Sequence, residues 1–214
     1  MNTLIKWNED RHFYSSIYSA SRPEFFLTVK SIFEEYIDTA SKYKNVEDVY
    51  PSIMTEVMHL DPRLEVFCKY VADVSWDILD SQGYNVDSYY TYIQSMWGQS
   101  HPRTSNMEQH SHGNSRLVGF YFIDVPEDSS RLCFYDPRIL KTYTGLSLKG
   151  TDIYTPALSS IFYVPKPGDL YITNSWLEHS FTRNKSVKSF NFLHINIDVI
   201  STEFVETKDQ PVIV

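Results

Sequence analysis

The sequence predicts an α+β protein: helices from its N-terminal half packed on one face of a β core built from its C-terminal half. Two observations carry that prediction. Apolar residues recur at helical period up to about residue 81, and from Ser88 the chain switches to short runs rich in aromatic and β-branched residues. Between residues 22 and 42, Phe25, Phe26, Val29, Ile32, Phe33, Tyr36 and Ile37 follow the i, i+3, i+4, i+7 spacing of an amphipathic helix, with Ser21 as its expected cap and Pro23 in its first turn. A weaker pattern at 52–59 suggests a short helical piece. After Asp61-Pro62, the residues Phe67, Tyr70, Val71, Val74, Ile78 and Leu79 predict a helix over 62–81, stopped by Gly83. The segments SYYTYIQSMW, RLVGFYFID, RLCFYD, IFYVP, DLYITN and SFNFLHINIDVI then read as strands of a sandwich, barrel or jelly roll.

At 214 residues, with no proline- or serine-rich linker and no internal repeat, the chain reads as a single domain. Within it, 1–87 form a mainly helical support, 88–200 the β core and 201–214 a tail. Hydrophobic residues at 42% and charged residues at 21% exclude a disordered or low-complexity chain. A net charge of −8 repels phosphate backbones and anionic lipid, so neither nucleic acid nor membrane is an expected partner. No run approaches the roughly 20 apolar residues of a membrane span, and MNTLIKWNED lacks the apolar stretch of a signal peptide, so the expected compartment is the cytoplasm. Cys68 and Cys133 each sit in an apolar run and read as small core residues. GLSLKGTD has Thr151 where a phosphate loop requires lysine, and neither GxGxxG nor GxSxG occurs, which leaves nucleotide binding and serine hydrolysis without an anchor.

The histidines carry the chemical signal. In MEQHSHGNS, His110 and His112 are one residue apart, so on a strand both rings share a face and can share one ion at about 2.0–2.2 Å per bond. His179, in ITNSWLEHSF, follows a strand that a jelly roll brings beside an earlier one. His12, His59, His101 and His194 show no comparable pattern. HxH alone is a weak motif, and a solvated polar loop is its plain alternative.

The stretch from Trp97 to Asn191, about half of the chain, adds HSHGNSRLVGFYF, FYDPR, PGDLYITNSWLEHSF and KSFNF in that order. It resembles the 2-oxoglutarate and Fe(II)-dependent oxygenases, in particular an HxH-type, prolyl-hydroxylase-like branch of marine bacteria and their phages. That resemblance implies a double-stranded β-helix (a cupin-like jelly roll) with N-terminal support helices and a metal at its open end. It implies Fe(II), 2-oxoglutarate and O2 as cofactor and cosubstrates, and a cytoplasmic enzyme, in the host cytoplasm if the chain is viral.

Carried over residue by residue, His110 is the first ligand and His179 the distal one. The middle position, a carboxylate in the wider superfamily, is His112 here. Three readings stay open: His112 ligates and leaves the centre one charge more positive, Glu108 supplies the carboxylate from the same strand face, or Asp136 of FYDPR does; His112 is favoured. The arginine expected to hold the far carboxylate of 2-oxoglutarate is missing. Lys188 by count, or Lys185 by alignment on SFN, takes its place, and the two have opposite strand parity; Arg183 is nearby. Tyr121 is expected to add a hydroxyl to the same carboxylate. Arg138 is assigned a structural or substrate-side role, and Trp97 and Trp176 pocket or core walls.

The implied activity is hydroxylation of an unactivated C–H bond coupled to decarboxylation of 2-oxoglutarate to succinate and CO2. The expected substrate is a prolyl or other side chain of a protein, and after that a free amino acid or small metabolite. The rival readings are a non-catalytic jelly-roll structural or assembly module and a cupin-like three-histidine metalloenzyme that does not use 2-oxoglutarate.

Overall fold

A computed structural model describes residues 8–44, 51–151 and 153–206. Strand β1 (Ile17–Ser21) leads into a 3-10 turn at Pro23–Phe25 and helix α1 (Phe26–Tyr43). Pro23 opens that turn as predicted, but Ser21 does not cap it: it is the last residue of β1, paired with Asp169. The piece at 52–59 is strand β2 (Ile53–Val57), not a helix, because pairing with a neighbouring strand overrides a weak local periodicity. Asp61 caps the next 3-10 turn through the Arg63 backbone N–H, and helix α2 (Glu65–Ser81) follows, with Gly83 beyond it at φ +88°.

The remaining strands are β3 (Tyr89–His101), β4 (Met107–His110), β5 (Leu117–Asp124), β6 (Leu132–Tyr135), β7 (Ser160–Tyr163), β8 (Asp169–Asn174), β9 (His179–Phe181) and β10 (Phe190–Ser201), with a short helix α3 (Thr202–Glu206) in the expected tail. All six predicted strand segments are strands; β1, β2, β4 and β9 join them. The strands form two antiparallel sheets, one ordered β1-β8-β5-β10-β3-β2 and the other β4-β9-β6-β7. This is the predicted jelly-roll architecture, with α1 and α2 on the outer face of the larger sheet.

The two long central strands set both cores. On β10, Leu193, Ile195 and Ile197 face the helices and meet Val29, Ile32, Phe33, Phe67 and Val71. The alternate residues Phe190 and Phe192 face the smaller sheet and pack with Phe120, Phe122, Phe134 and Phe181. A strand buried on both faces has no polar alternation, which is why SFNFLHINIDVI reads as a nearly continuous apolar run.

Helix α1 sits so close to β3 that Gly98 has no room for a side chain. A methyl there would stand 2.7 Å from two ring carbons of Phe33 and 3.0 Å from Thr55 Cγ2. The Gly98 N–H also donates to Thr55 Oγ1 at 2.8 Å, which ties β2 to the same point. Gly98→Ala is therefore expected to destabilise the fold by about 1–3 kcal/mol, as overpacking does. Urea unfolding measures this, and an unchanged midpoint would contradict the close approach of α1.

Candidate metal centre

His110 ends β4, and its backbone partner across the ladder is His179, which begins β9. His112 lies two residues past His110, in the turn leaving β4, held by its backbone N–H to the Ser175 carbonyl at 2.9 Å. The HxH spacing thus acts through a strand end and the turn after it. Ring centroids are 4.5 Å apart for His110 and His179, 5.1 Å for His110 and His112, and 5.3 Å for His112 and His179, whose planes are 2° from parallel. One ring nitrogen from each of the three lies within 4.8 Å of the others.

Hydrogen bonding selects the nitrogens. His110 Nδ1 donates to the Glu108 carbonyl at 2.7 Å and His179 Nδ1 to the Leu177 carbonyl at 3.0 Å, so in both rings Nε2 is left with its lone pair. Nε2 of His179 and Nε2 of His112 are buried with no partner. Burial, with a smaller push from the neighbouring imidazoles, holds His179 down at about 3; burial and then His110 hold His112 at about 4. Unprotonated, convergent nitrogens lacking partners are the chemical form that a divalent metal requires, and the residues present fit one.

His110 and His112 line a cleft of about 1410 Å³, and His179 is buried behind them. Tyr36, Tyr43, Met54 and Met107 contribute apolar walls, and Glu56 and Glu108 line it as well. Behind His179 the space is closed by Phe120 and Phe134, whose rings lie 5.1 and 6.3 Å from the imidazole.

The other expected site residues lie elsewhere. The Asp136 carboxylate is engaged by Arg138 (2.8 and 2.9 Å) and by Lys141, and these cations hold it well below the usual carboxylate range. It borders a separate cavity, so FYDPR is a structural clasp and not a ligand source. Glu108 offers its carbonyl to His110, and its carboxylate is not among the groups that converge. Tyr121 is corrected outright: its ring packs on Phe67 and its hydroxyl donates to the Arg22 carbonyl at 2.8 Å, on the helix side of the larger sheet and away from the trio. Lys185 and Lys188 are exposed in the turn between β9 and β10 and do not border the cleft; they lie outside any strand, so strand parity does not orient them.

A residue that the sequence pattern passed over is His194. It is 1% exposed on β10, has no partner at either ring nitrogen, and lies with its ring centroid 4.8 Å from His112 and 4.2 Å from Trp97. Burial first, then the charges that its histidine neighbours would carry, keeps it well below the usual histidine value. The period of two in SFNFLHINIDVI, counted from Phe190, places His194 on the inner face and was the available signal.

Residues 95–190 match the sequence model of a family described as "Putative 2OG-Fe(II) oxygenase". Over this stretch the chain is similar to the 2OG-Fe(II) oxygenases. Fe(II) and 2-oxoglutarate fit its three-histidine group, and O2 fits the family as second cosubstrate. No curated protein sequence matches the chain. Its structure is similar to a Pseudomonas putida prolyl-4-hydroxylase (8% identity, TM-score 0.57, covering 86% of this chain and 93% of that one). It is also similar to the viral collagen prolyl hydroxylase of Paramecium bursaria Chlorella virus-1 in its 2OG complex (14%, 0.51, 85% and 94%) and to EctD from S. alaskensis with 2-oxoglutarate and 5-hydroxyectoine (11%, 0.59, 86% and 72%). At these identities the likeness is one of fold. Among the described residues, no helix is long and apolar enough to cross a membrane.

One buried histidine lies away from the metal trio. His101, 0% exposed, is ringed by Phe181, Phe190 and Phe192 and held at about 4 by burial. Its unfolded value is about 6.5, so between pH 6.5 and 4 the unfolded chain holds a proton that the folded chain excludes. Stability is therefore undiminished above about pH 6.5 and falls with pH below it, by up to about 1.4 kcal/mol per unit for this residue. Urea titrations of the metal-free protein at pH 7, 6 and 5 should show the decline, and His101→Phe should reduce the slope; an identical slope would remove His101 as a source.

Proposed function

We propose that the enzyme hydroxylates a C–H bond of a protein side chain, a prolyl ring first among them, with His110, His112 and His179 holding the Fe(II). The observation that carries this reading is the convergence of three histidine ring nitrogens, two of them buried without a partner, beside a wide cleft. At about 1410 Å³ the cleft exceeds the roughly 300–1,000 Å³ of pockets that enclose small ligands. That size and its aromatic and thioether walls suit a side chain presented by a polypeptide better than a free metabolite. The fold shared with two prolyl hydroxylases points the same way.

The bound iron with 2-oxoglutarate and O2 supplies the oxidising chemistry; the protein supplies placement. Carbonyls of Glu108 and Leu177 fix which nitrogens of His110 and His179 face the metal. The phenylalanines behind His179 keep water from that side, and the open side admits the target bond. In this reading the chain works as a single catalytic unit, with β3–β10 carrying the chemistry and α1 and α2 bracing the larger sheet. Cys68 and Cys133, both free thiols, accord with a cytoplasmic setting.

The test is anaerobic addition of 2-oxoglutarate to Fe(II)-loaded protein, followed by aerobic assay of succinate with proline-containing peptides. A visible chelate band and peptide-dependent succinate are the expected results. Absence of the band would reject the cosubstrate role, and a band with succinate released only by free amino acids would reject the polypeptide substrate.

A further inference from the structure

The metal centre accounts for His110, His112 and His179 but leaves unexplained a second group of polar atoms beside it. His194 has two partnerless ring nitrogens, the Trp97 indole Nε1 is buried without an acceptor, and Gln99 Oε1 is buried without a donor. His194 and Gln99 are 1% and 3% exposed. All three residues border the cleft of the metal trio, and the His194 ring stands edge to face with Trp97 at 73°. Orphaned buried polar groups are costly and uncommon in native proteins, so a cluster of them on one cavity wall indicates the place of a polar ligand.

The chemistry of the ligand follows from the donors and from the charge. A tryptophan N–H only donates, and a neutral histidine donates from one nitrogen, so the pair presents two N–H groups, one for each oxygen of a carboxylate. The second nitrogen of His194 and Gln99 Oε1 are then left to an ordered water, which can donate to both. Lys44 is the one lysine or arginine bordering the cleft among the described residues, and its ammonium donates to the Ser52 carbonyl at 2.7 Å. Three neutral imidazoles around a divalent ion leave two positive charges uncompensated, which a dicarboxylate balances without help from a lysine.

We propose that Trp97 and His194, with Gln99 behind them, form a subsite of neutral donors that takes the far carboxylate of 2-oxoglutarate, in place of a basic residue. This rests on the 2-oxoglutarate chemistry proposed above. It reassigns the anchor from the exposed turn between β9 and β10 to the inner faces of β3 and β10.

The experiment titrates Fe(II)-loaded protein anaerobically with 2-oxoglutarate and with 2-oxopentanoate, which chelates the metal identically but lacks the far carboxylate. The readout is the chelate absorption, not turnover. The unmodified protein should prefer 2-oxoglutarate, and Trp97→Phe and His194→Gln should each reduce that preference about 10- to 100-fold, the effect of losing one hydrogen bond to a charged group. Affinity for 2-oxopentanoate should change little, which separates loss of the anchor from general damage; circular dichroism and iron content control for folding. An unchanged preference in both variants, or a preference lost in Lys185→Ala or Lys188→Ala, would overturn the proposal while leaving the oxygenase reading intact. Absence of any chelate band with either acid in the unmodified protein would overturn both.

Discussion

Replacing His179 by alanine is expected to reduce iron affinity more than 100-fold and to abolish turnover, while the protein stays folded. The expectation is larger for His179 than for its two partners because it is fully buried and pinned through Nδ1 to the Leu177 carbonyl. Loss of even an outer hydrogen bond to a ligating histidine typically costs about 10- to 100-fold in metal affinity, and loss of the ligand itself exceeds that. Equilibrium dialysis against Fe(II) under anaerobic conditions reads the affinity directly. Retention of full affinity would remove His179 from the centre and leave an HxH pair with no third histidine. His112→Asp is the instructive companion: it installs the carboxylate common in two-histidine iron sites and should keep the metal while lowering the charge of the centre by one.

The largest effect on stability is expected at Phe192. Its ring is 0% exposed, stacks on Phe181 at 4.4 Å and 29°, and lies within 6.2 Å of Phe120, Phe122, Phe190 and His101. Phe192→Ala should cost about 3–5 kcal/mol. For a chain of this size, at about 2–4 °C per kcal/mol, the melting temperature should fall by roughly 6–20 °C. Thermal unfolding followed by near-UV circular dichroism measures it. A loss below about 1 kcal/mol would mean that the two sheets do not meet across this aromatic seam, and the placement of β9 against β10 would have to be redrawn.

Much of this arrangement is legible in the sequence, and the parts that are not share a physical cause. The helices show because an amphipathic stripe is a local signal: Val29, Ile32 and Phe33 are buried where the spacing puts them. The strands show because of composition and punctuation. The sequence does not show which face of a doubly buried strand is which. Tyr121 and Phe120 are equally apolar neighbours in LVGFYFID, and only the packing of α2 on one side of the sheet sends the tyrosine to the helices and the phenylalanine to the barrel. The same ambiguity hid His194, whose strand has no polar face to mark its inner side. Ser21 and β2 depart from their local pattern because strand pairing is a long-range event: Ile53 pairs with Ser100, far along the chain. The turn between β9 and β10 is a further case. Asn184 organises it through bonds from its amide to the His101 and Lys188 carbonyls, and this turns a segment that reads as the start of a strand into an exposed loop carrying Lys185 and Lys188.

The two-sided strand β10 also determines where this chain can change length. Its inner residues Phe190, Phe192 and His194 and its outer residues Leu193, Ile195 and Ile197 are fixed by pairing with β3 on one side and β5 on the other. One residue added or removed within 190–195 would exchange the two faces, sending leucine and isoleucine toward the metal centre and phenylalanine and histidine toward the helices. Insertions are therefore expected to be tolerated in the exposed loops, such as the turn at 182–189, and not within this strand.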